Sequence, residues 1–286
     1  EEKINDLIEK FNKWGLYANV IGEVIASNEV IISHKSKIVA QIPTSALSED
    51  TPTNIHNVIK TPPDYLLKKW EWKESNLPEI KEQKIFSLKE NKSFSYSEII
   101  LKLLSNTSIA SKGWIFKQYD SQVQANTVFK PGESDAAVIR LREQNEKNKN
   151  KVFSGVAASV DCNSRWVFLD PFRGTIAAVA ESARNVSCVG AEPVAITNNL
   201  NFPSPETEIG YWQLSSSCNG ISEACKAFET PVTGGNVSLY NESKNKDNEI
   251  TPINPTPVIG MVGKIDNVDK AINTKWKNIN DQIWLI

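Results

Sequence analysis

The stretch Thr230-Pro231-Val232-Thr233-Gly234-Gly235-Asn236-Val237-Ser238-Leu239-Tyr240-Asn241 concentrates residues able to do chemistry. Two adjacent glycines let a backbone approach a ligand closely, and with φ > 0 their successive N–H groups point into one concavity that suits an anion such as phosphate. Asn236 and Ser238, two apart on an outgoing strand, face the same side. From there an amide oxygen can ligate Mg²⁺ and a hydroxyl can hydrogen-bond a phosphate or a ribose. The same residues also suit a plain hairpin connection, which uses a Gly-Gly-Asn turn for its backbone alone. A second polar tip, Thr197-Asn198-Asn199-Leu200-Asn201, also follows a helix-to-strand unit. In layered α/β architectures ligands gather beyond such strand ends, because backbone donors and helix termini are left unpaired there. Both readings, nucleotide site and structural turns, stay open on these residues alone.

The elements that would hold these tips read as follows. Apolar residues at Ile4, Leu7, Ile8, Phe11 and Trp14 predict an amphipathic helix ending near Gly15, followed by strands over Asn19–Ile25, Val30–Ile32 and Ile38–Ile42. His34 lies just past the second of these and reads as an ordinary surface or core histidine. The proline-rich stretch from 44 to 92 reads as a connecting segment that wraps a neighbour through its tryptophans. Ser95 and Glu98 start a helix over 93–104. Strands are predicted at Gly113–Tyr119, Val123–Phe129, Asp135–Arg142, Val152–Val160 and Trp166–Leu169, with 143–151 as a turn. Two long helical patterns follow, 171–188 and Thr207–Phe228, the second bent at Gly220, then a charged loop at 242–249 and a strand over Pro257–Val262. The class is α+β, a mixed, mainly antiparallel sheet layered with helices.

Composition excludes several functions. The 32 basic and 34 acidic residues of the 286 nearly cancel to −2, and no long basic block is present, which argues against nucleic acid and anionic membrane as partners. No apolar run reaches the length of a membrane span and no signal-peptide core opens the chain, so a cytoplasmic protein is expected. Cys162, Cys188, Cys218 and Cys225 form no Cys-x-x-Cys pair and read as buried thiols. The chain opens on Glu1 with Met261 as its single methionine, which leads us to expect a segment of a longer chain.

In order along the chain, Tyr119-Asp120-Ser121-Gln122-Val123-Gln124, Asp161-Cys162-Asn163-Ser164-Arg165, Asp170-Pro171-Phe172-Arg173-Gly174, Glu181-Ser182-Ala183-Arg184-Asn185, Asn199-Leu200-Asn201-Phe202 and Gly235-Asn236-Val237-Ser238-Leu239-Tyr240-Asn241 resemble the large synthetase subunit of phosphoribosylformylglycinamidine synthase. The resemblance covers nearly the whole chain and is strongest over 119–263. It implies two tandem copies of a two-domain, aminoimidazole ribonucleotide synthetase-like ATP-binding fold. On that basis 1–60 is the end of the first copy's C-terminal domain, 61–92 a linker, 93–265 the second copy's N-terminal domain, and 266–286 the start of its C-terminal domain.

The implied reaction is the ATP-dependent amidation of formylglycinamide ribonucleotide with glutamine-derived ammonia in purine biosynthesis, with ATP and Mg²⁺ as cofactors. A glutaminase subunit, a small bridging subunit and the remainder of its own chain are the implied partners. By position, Asn198 and Gly235 correspond to ATP contacts, Asn236 to a Mg²⁺ ligand and Ser238 to a substrate contact. The family's catalytic histidines fall outside this chain, so the isolated chain is expected to be inactive. Asn198 replaces the family's aspartate and Pro203 its glycine after phenylalanine. The alternative is a catalytically silent tandem copy that holds nucleotide or docks a neighbour.

Overall fold

The computed structural model describes residues 3–53, 55, 57–59, 61–76, 84–87, 92–142 and 152–284. The predicted turn at 143–151 lies outside the described residues, as does the end of the last apolar run. The chain divides into two compact units, Glu1–Ile55 and His56–Ile286.

In the first unit, helix α1 (Ile4–Lys13) carries the predicted amphipathic pattern. Strands β1 (Glu29–His34) and β2 (Lys37–Pro43) form an antiparallel hairpin. Its turn is Lys35-Ser36, with φ of 48° and 62°, the left-handed pair a tight hairpin turn requires. Residues 19–25, predicted as a strand, hold no regular structure. The β-branched run there has the propensity, but the hairpin pairs β1 forward with β2 and leaves it without a ladder partner.

The second unit begins with helix α2 (Asp64–Trp70), inside the segment read as a connector. The segment does pack on its neighbours, but chiefly through Leu66 and Tyr65, while Trp70 and Trp72 remain 45% and 57% exposed. Leu66 is fully buried, Tyr65 stacks on Phe168 with ring centroids 4.9 Å apart, and the Trp70 indole donates to the Leu169 carbonyl at 2.8 Å. A hairpin of β3 (Lys84–Ser87) and β4 (Lys92–Ser95) runs into α3 (Tyr96–Ser105). A reciprocal cap closes the start of α3: Glu98 N–H donates to Ser95 Oγ at 3.3 Å, and Ser95 N–H to Glu98 Oε2 at 2.7 Å. The strand predicted at Gly113–Tyr119 is instead the short helix α4 (Gly113–Phe116), and in the next predicted strand Thr127 makes only an isolated bridge to Ile139. Short apolar runs fit either period, and contacts distant in sequence decided both.

The main sheet has the order β5 (Ala137–Arg140), β6 (Gly155–Asp161), β11 (Thr256–Ile265), β7 (Glu192–Asn201), β8 (Val232–Ser238). Neighbours are antiparallel except β7 and β8, which are parallel. Helix α7 (Glu208–Phe228) makes the crossover between that pair, while α5 (Ser164–Leu169) and α6 (Pro171–Cys188) link β6 to β7. Hairpin strands β9 (Glu242–Lys244) and β10 (Ile250–Pro252) pair antiparallel, β9 inside the predicted charged loop at 242–249 and β10 just after it.

Helix α5 stands where Trp166–Leu169 was predicted as a strand. Asn163 caps it by accepting from the N–H groups of Arg165 and Trp166 at 3.2 and 3.3 Å. Asp170 then caps α6 by accepting from Arg173 N–H at 2.9 Å, and Pro171 at the first helical position suits that start. Helix α7 runs unbroken through Gly220. A Cβ there would lie 2.5 Å from the Phe172 carbonyl oxygen, so that glycine lets α7 press on α6 and makes no bend.

One sheet face is the core. Val138, Ala157, Ile196, Ile259 and Met261 meet Val179, Val186 and Ile221 of α6 and α7, all at 4% exposure or less. Fully burying a side chain of this size contributes about 1.5–3 kcal/mol. In β5 it is Val138 that faces inward, whereas Ile139 stays 48% exposed. The other face, with Val160 on β6, is open to solvent in this chain.

Candidate functional site

Both polar tips lie inside paired strands. Thr197–Asn201 is the C-terminal half of β7, and Gly234–Ser238 that of β8; Asn198 sits opposite Gly235, Asn199 opposite Asn236, and Asn201 opposite Ser238. The Gly-Gly pair is therefore no φ > 0 turn. The described glycines with positive φ are Gly15, Gly132 and Gly190, so the backbone nest drawn from sequence is absent at 234–235. Parallel pairing after a helical crossover explains why: a strand that turned at Gly234 would forfeit the ladder to β7.

Gly235 is needed for a different reason. A Cβ there would stand 2.0 Å from Asn198 Oδ1 and 2.7 Å from the Asn198 carbonyl oxygen, whereas a Cβ at Gly234 would meet nothing within 4 Å. The missing side chain lets Asn198 lie flat across β8, which brings the two expected nucleotide contacts into direct apposition.

Asn236 points to the opposite face. Its Nδ2 donates to Asn199 Oδ1 at 3.3 Å, which leaves its own amide oxygen available as a ligand. The two border a shallow depression of about 440 Å³, lined also by Val160, Thr197, Gly235 and Gly260. Its lining holds no lysine, arginine or histidine. An anion bound there would have to bring its own counter-charge. Ser238 shares the Asn236 face by alternation, as predicted, but does not line the depression. Its hydroxyl donates to Asn241 Oδ1 at 3.2 Å, while Asn241 Nδ2 donates to the Ser238 and Phe202 carbonyls at 2.8 and 3.1 Å. With its proton spent, the Ser238 oxygen can still accept from a ribose hydroxyl or an amide N–H.

Sequence reasoning gave no ligand role to Asp161. Ile259 pairs with Asp161 on one side and Asn198 on the other, so Asp161, Ile259, Asn198 and Gly235 form one row across four strands on the helix-covered face. Asp161 Oδ1 accepts from Asn185 Nδ2 of α6 at 2.9 Å, while Oδ2 is buried with no hydrogen-bond partner among the described residues. A buried carboxylate oxygen left unpaired is costly, and a cation relieves that cost. No group of three or more His, Cys, Asp or Glu among the described residues is arranged to hold a metal, so a cation here would lean on amide oxygens and water.

The thiol of neighbouring Cys162 is pushed up to about 11 by burial and, secondarily, by the negative charge of Glu181. Against an unfolded thiol near 8.5, both states keep the proton below that pH; above it only the unfolded chain ionises, so this thiol costs stability as pH rises from about 8.5 towards 11. Cys162 is accordingly expected to react with iodoacetamide at pH 8 at least tenfold more slowly in the native protein than after unfolding. Equal rates, read by mass spectrometry, would contradict this.

Among the described residues no helix is long and apolar enough to cross a membrane. Residues 133–265 match a family model described as AIR synthase related protein, N-terminal domain. The chain is 91% identical over its full length to the phosphoribosylformylglycinamidine synthase subunit PurL of Prochlorococcus marinus (strain MIT 9312). It spans 37% of that relative's length. Among solved structures it resembles PurLQS from Thermotoga maritima, with a TM-score of 0.61 and 26% identity, covering 96% of this chain and 38% of that one. It also resembles T. maritima PurL complexed with ATP, with a TM-score of 0.60 and 26% identity, covering 94% of this chain and 37% of that one.

Proposed function

Because the chain belongs to the phosphoribosylformylglycinamidine synthase family, we propose that it builds one wall of the centre that amidates formylglycinamide ribonucleotide at the expense of ATP. In that reaction ATP activates the formyl amide oxygen as an iminophosphate, ammonia attacks the carbon, and phosphate leaves as the amidine forms. Each residue has a defined part. The apposed Asn198 and Gly235 receive the nucleotide at the β7–β8 seam, Asn236 offers its free amide oxygen to a divalent cation, and Ser238 accepts a hydrogen bond from the substrate.

The observation that carries this reading is the pairing of Asn236 with Asn199 in a depression whose lining holds no positive side chain. The residues of the depression fit Mg²⁺ in donor type, since neutral amide oxygens suit it and the Asn236 oxygen is unengaged, whereas Asp161 lies in the row on the other face of the sheet and takes no part in that site. Bound there, Mg²⁺ would offset charge on the transferring phosphate. The chain's own contribution is to hold phosphate and cation in register on a rigid sheet and to keep the Asn236 amide turned outward.

We assign the ammonia supply to a glutaminase subunit and the bridging role to a small third subunit, and the histidines that complete the centre to the rest of the family's length. Alone, this chain is then inactive, and the cytoplasm is where the assembled enzyme works. We keep the domain division at 60, 92 and 265. A second reading, a silent copy that only holds nucleotide, draws on Asn198 where the family carries aspartate. A titration of ATP into the full-length subunit tests the proposal: affinity should rise at least tenfold on adding Mg²⁺. Equal affinity with and without the metal would count against it.

A further inference from the structure

A second cavity lies in the second unit, away from the β7–β8 depression, and shares no lining residue with it. It measures about 880 Å³, within the range of sites for small organic molecules. Its walls are the α7 N-terminus, the β9–β10 hairpin, and the stacked Tyr65–Phe168 pair that α2 brings against α5.

Its construction is specific. Gly210 lets the 203–207 loop close on α7, since a Cβ there would lie 2.1 Å from the Ser204 carbonyl oxygen. Glu242 Oε1 accepts from Ser204 N–H at 2.9 Å and fixes the hairpin to that loop. Glu206 Oε1 accepts from the Tyr240 hydroxyl at 3.1 Å, with Tyr240 itself in the left-handed region at φ 59°. At the back, Gln213 is 3% exposed and donates its amide proton to the Tyr65 hydroxyl at 2.9 Å.

Taken together these bonds leave the cavity rich in acceptors. The Gln213 amide, the Tyr240 hydroxyl and the Ser204 N–H are engaged as donors, the Tyr65 hydroxyl accepts and keeps its own proton, and Glu206 and Glu242 each keep a carboxylate oxygen outside these bonds. No lysine, arginine or histidine lines the cavity. Aromatic faces at Tyr65, Phe168 and Tyr240 add the negative quadrupoles that attract cations, and isoleucines 209, 250 and 253 supply apolar surface. We propose that this cavity is a binding site for a small organic cation with a flat apolar body, of the aryl-amidine or aryl-ammonium class, its charge on Glu206 and Glu242 and its body against Tyr65 and Phe168.

The test uses the full-length subunit with benzamidine and its isosteric anion, benzoate, as probes. Calorimetry should give saturable one-to-one benzamidine binding, with benzoate at least tenfold weaker. Glu206→Gln and Glu242→Gln keep the bonds to Tyr240 and Ser204 and should each weaken benzamidine at least threefold, while Ile253→Trp should fill the cavity and abolish binding. ATP affinity, measured on the same variants, reports on the separate nucleotide site and should not change. The proposal is overturned if no saturable binding is seen up to millimolar benzamidine, the result expected were another part of the subunit to fill the cavity. It is equally overturned if benzoate binds as well as benzamidine, or if the glutamine and tryptophan variants bind like wild type.

Discussion

Replacing Gly235 by alanine is expected to lower ATP affinity of the full-length subunit at least tenfold and to destabilise its fold by about 1–3 kcal/mol, the range for forcing a side chain against fixed backbone. The new methyl would press on two atoms of Asn198. Its Oδ1, at 2.0 Å, sits on a side chain that can rotate away; its carbonyl oxygen, at 2.7 Å, is fixed in the ladder. Relief therefore requires β7 and β8 to part where the nucleotide contacts are apposed. Gly234→Ala is the control: its methyl meets nothing within 4 Å, so it should shift stability by only about 0.5 kcal/mol, the scale of substitutions away from special features. Urea unfolding and ATP titration of the two variants measure the contrast. Equal behaviour would mean that the close approach of Asn198 does not matter to the site.

The second large effect concerns Asn236. Changing it to alanine in the full-length subunit, with ammonium salt supplying ammonia, is expected to cut the rate at limiting Mg²⁺ by about 10–100-fold, the span seen when groups supporting a metal are lost. Much of the loss should return at saturating Mg²⁺. Asn236→Asp keeps an oxygen at the same place and should retain metal affinity. Because the Asn199–Asn236 bond is exposed and 3.3 Å long, its loss should cost little stability. A rate that is unchanged at every Mg²⁺ concentration would remove Asn236 from the site, and one that falls equally at all of them would assign it a role other than holding metal.

What could be read in the sequence follows the range of the interactions involved. Helices α6 and α7 were legible because their apolar spacing, their caps at Asp170 and Thr207 and the glycine at 190 all agree locally. Helix α5 was missed because its six residues are too short for a period to show, although Asn163 was a readable cap. The Asn19–Ile25 run had strand propensity, but nothing in the sequence revealed that β1 pairs forward. At the site, the shared face of Asn236 and Ser238 followed from a period of two. The register that sets Asn198 against Gly235 joins residues 37 apart in number, and only the folded sheet fixes it. That register also turned the glycines from an expected anion turn into a point of close strand approach. Asp161 escaped notice because its row in the sheet depends on two further pairings through Ile259.

The central claim is that Asn236 presents a metal-ligating oxygen beside the nucleotide position at the β7–β8 seam. The most direct measurement is a crystal structure of the full-length subunit with ATP and Mn²⁺, using the anomalous signal of manganese. An anomalous peak at about 2.0–2.4 Å from Asn236 Oδ1, the distance range of oxygen ligands to such cations, is the predicted result. Nucleotide bound with no peak near Asn236, or no nucleotide density at Asn198 and Gly235, would contradict it.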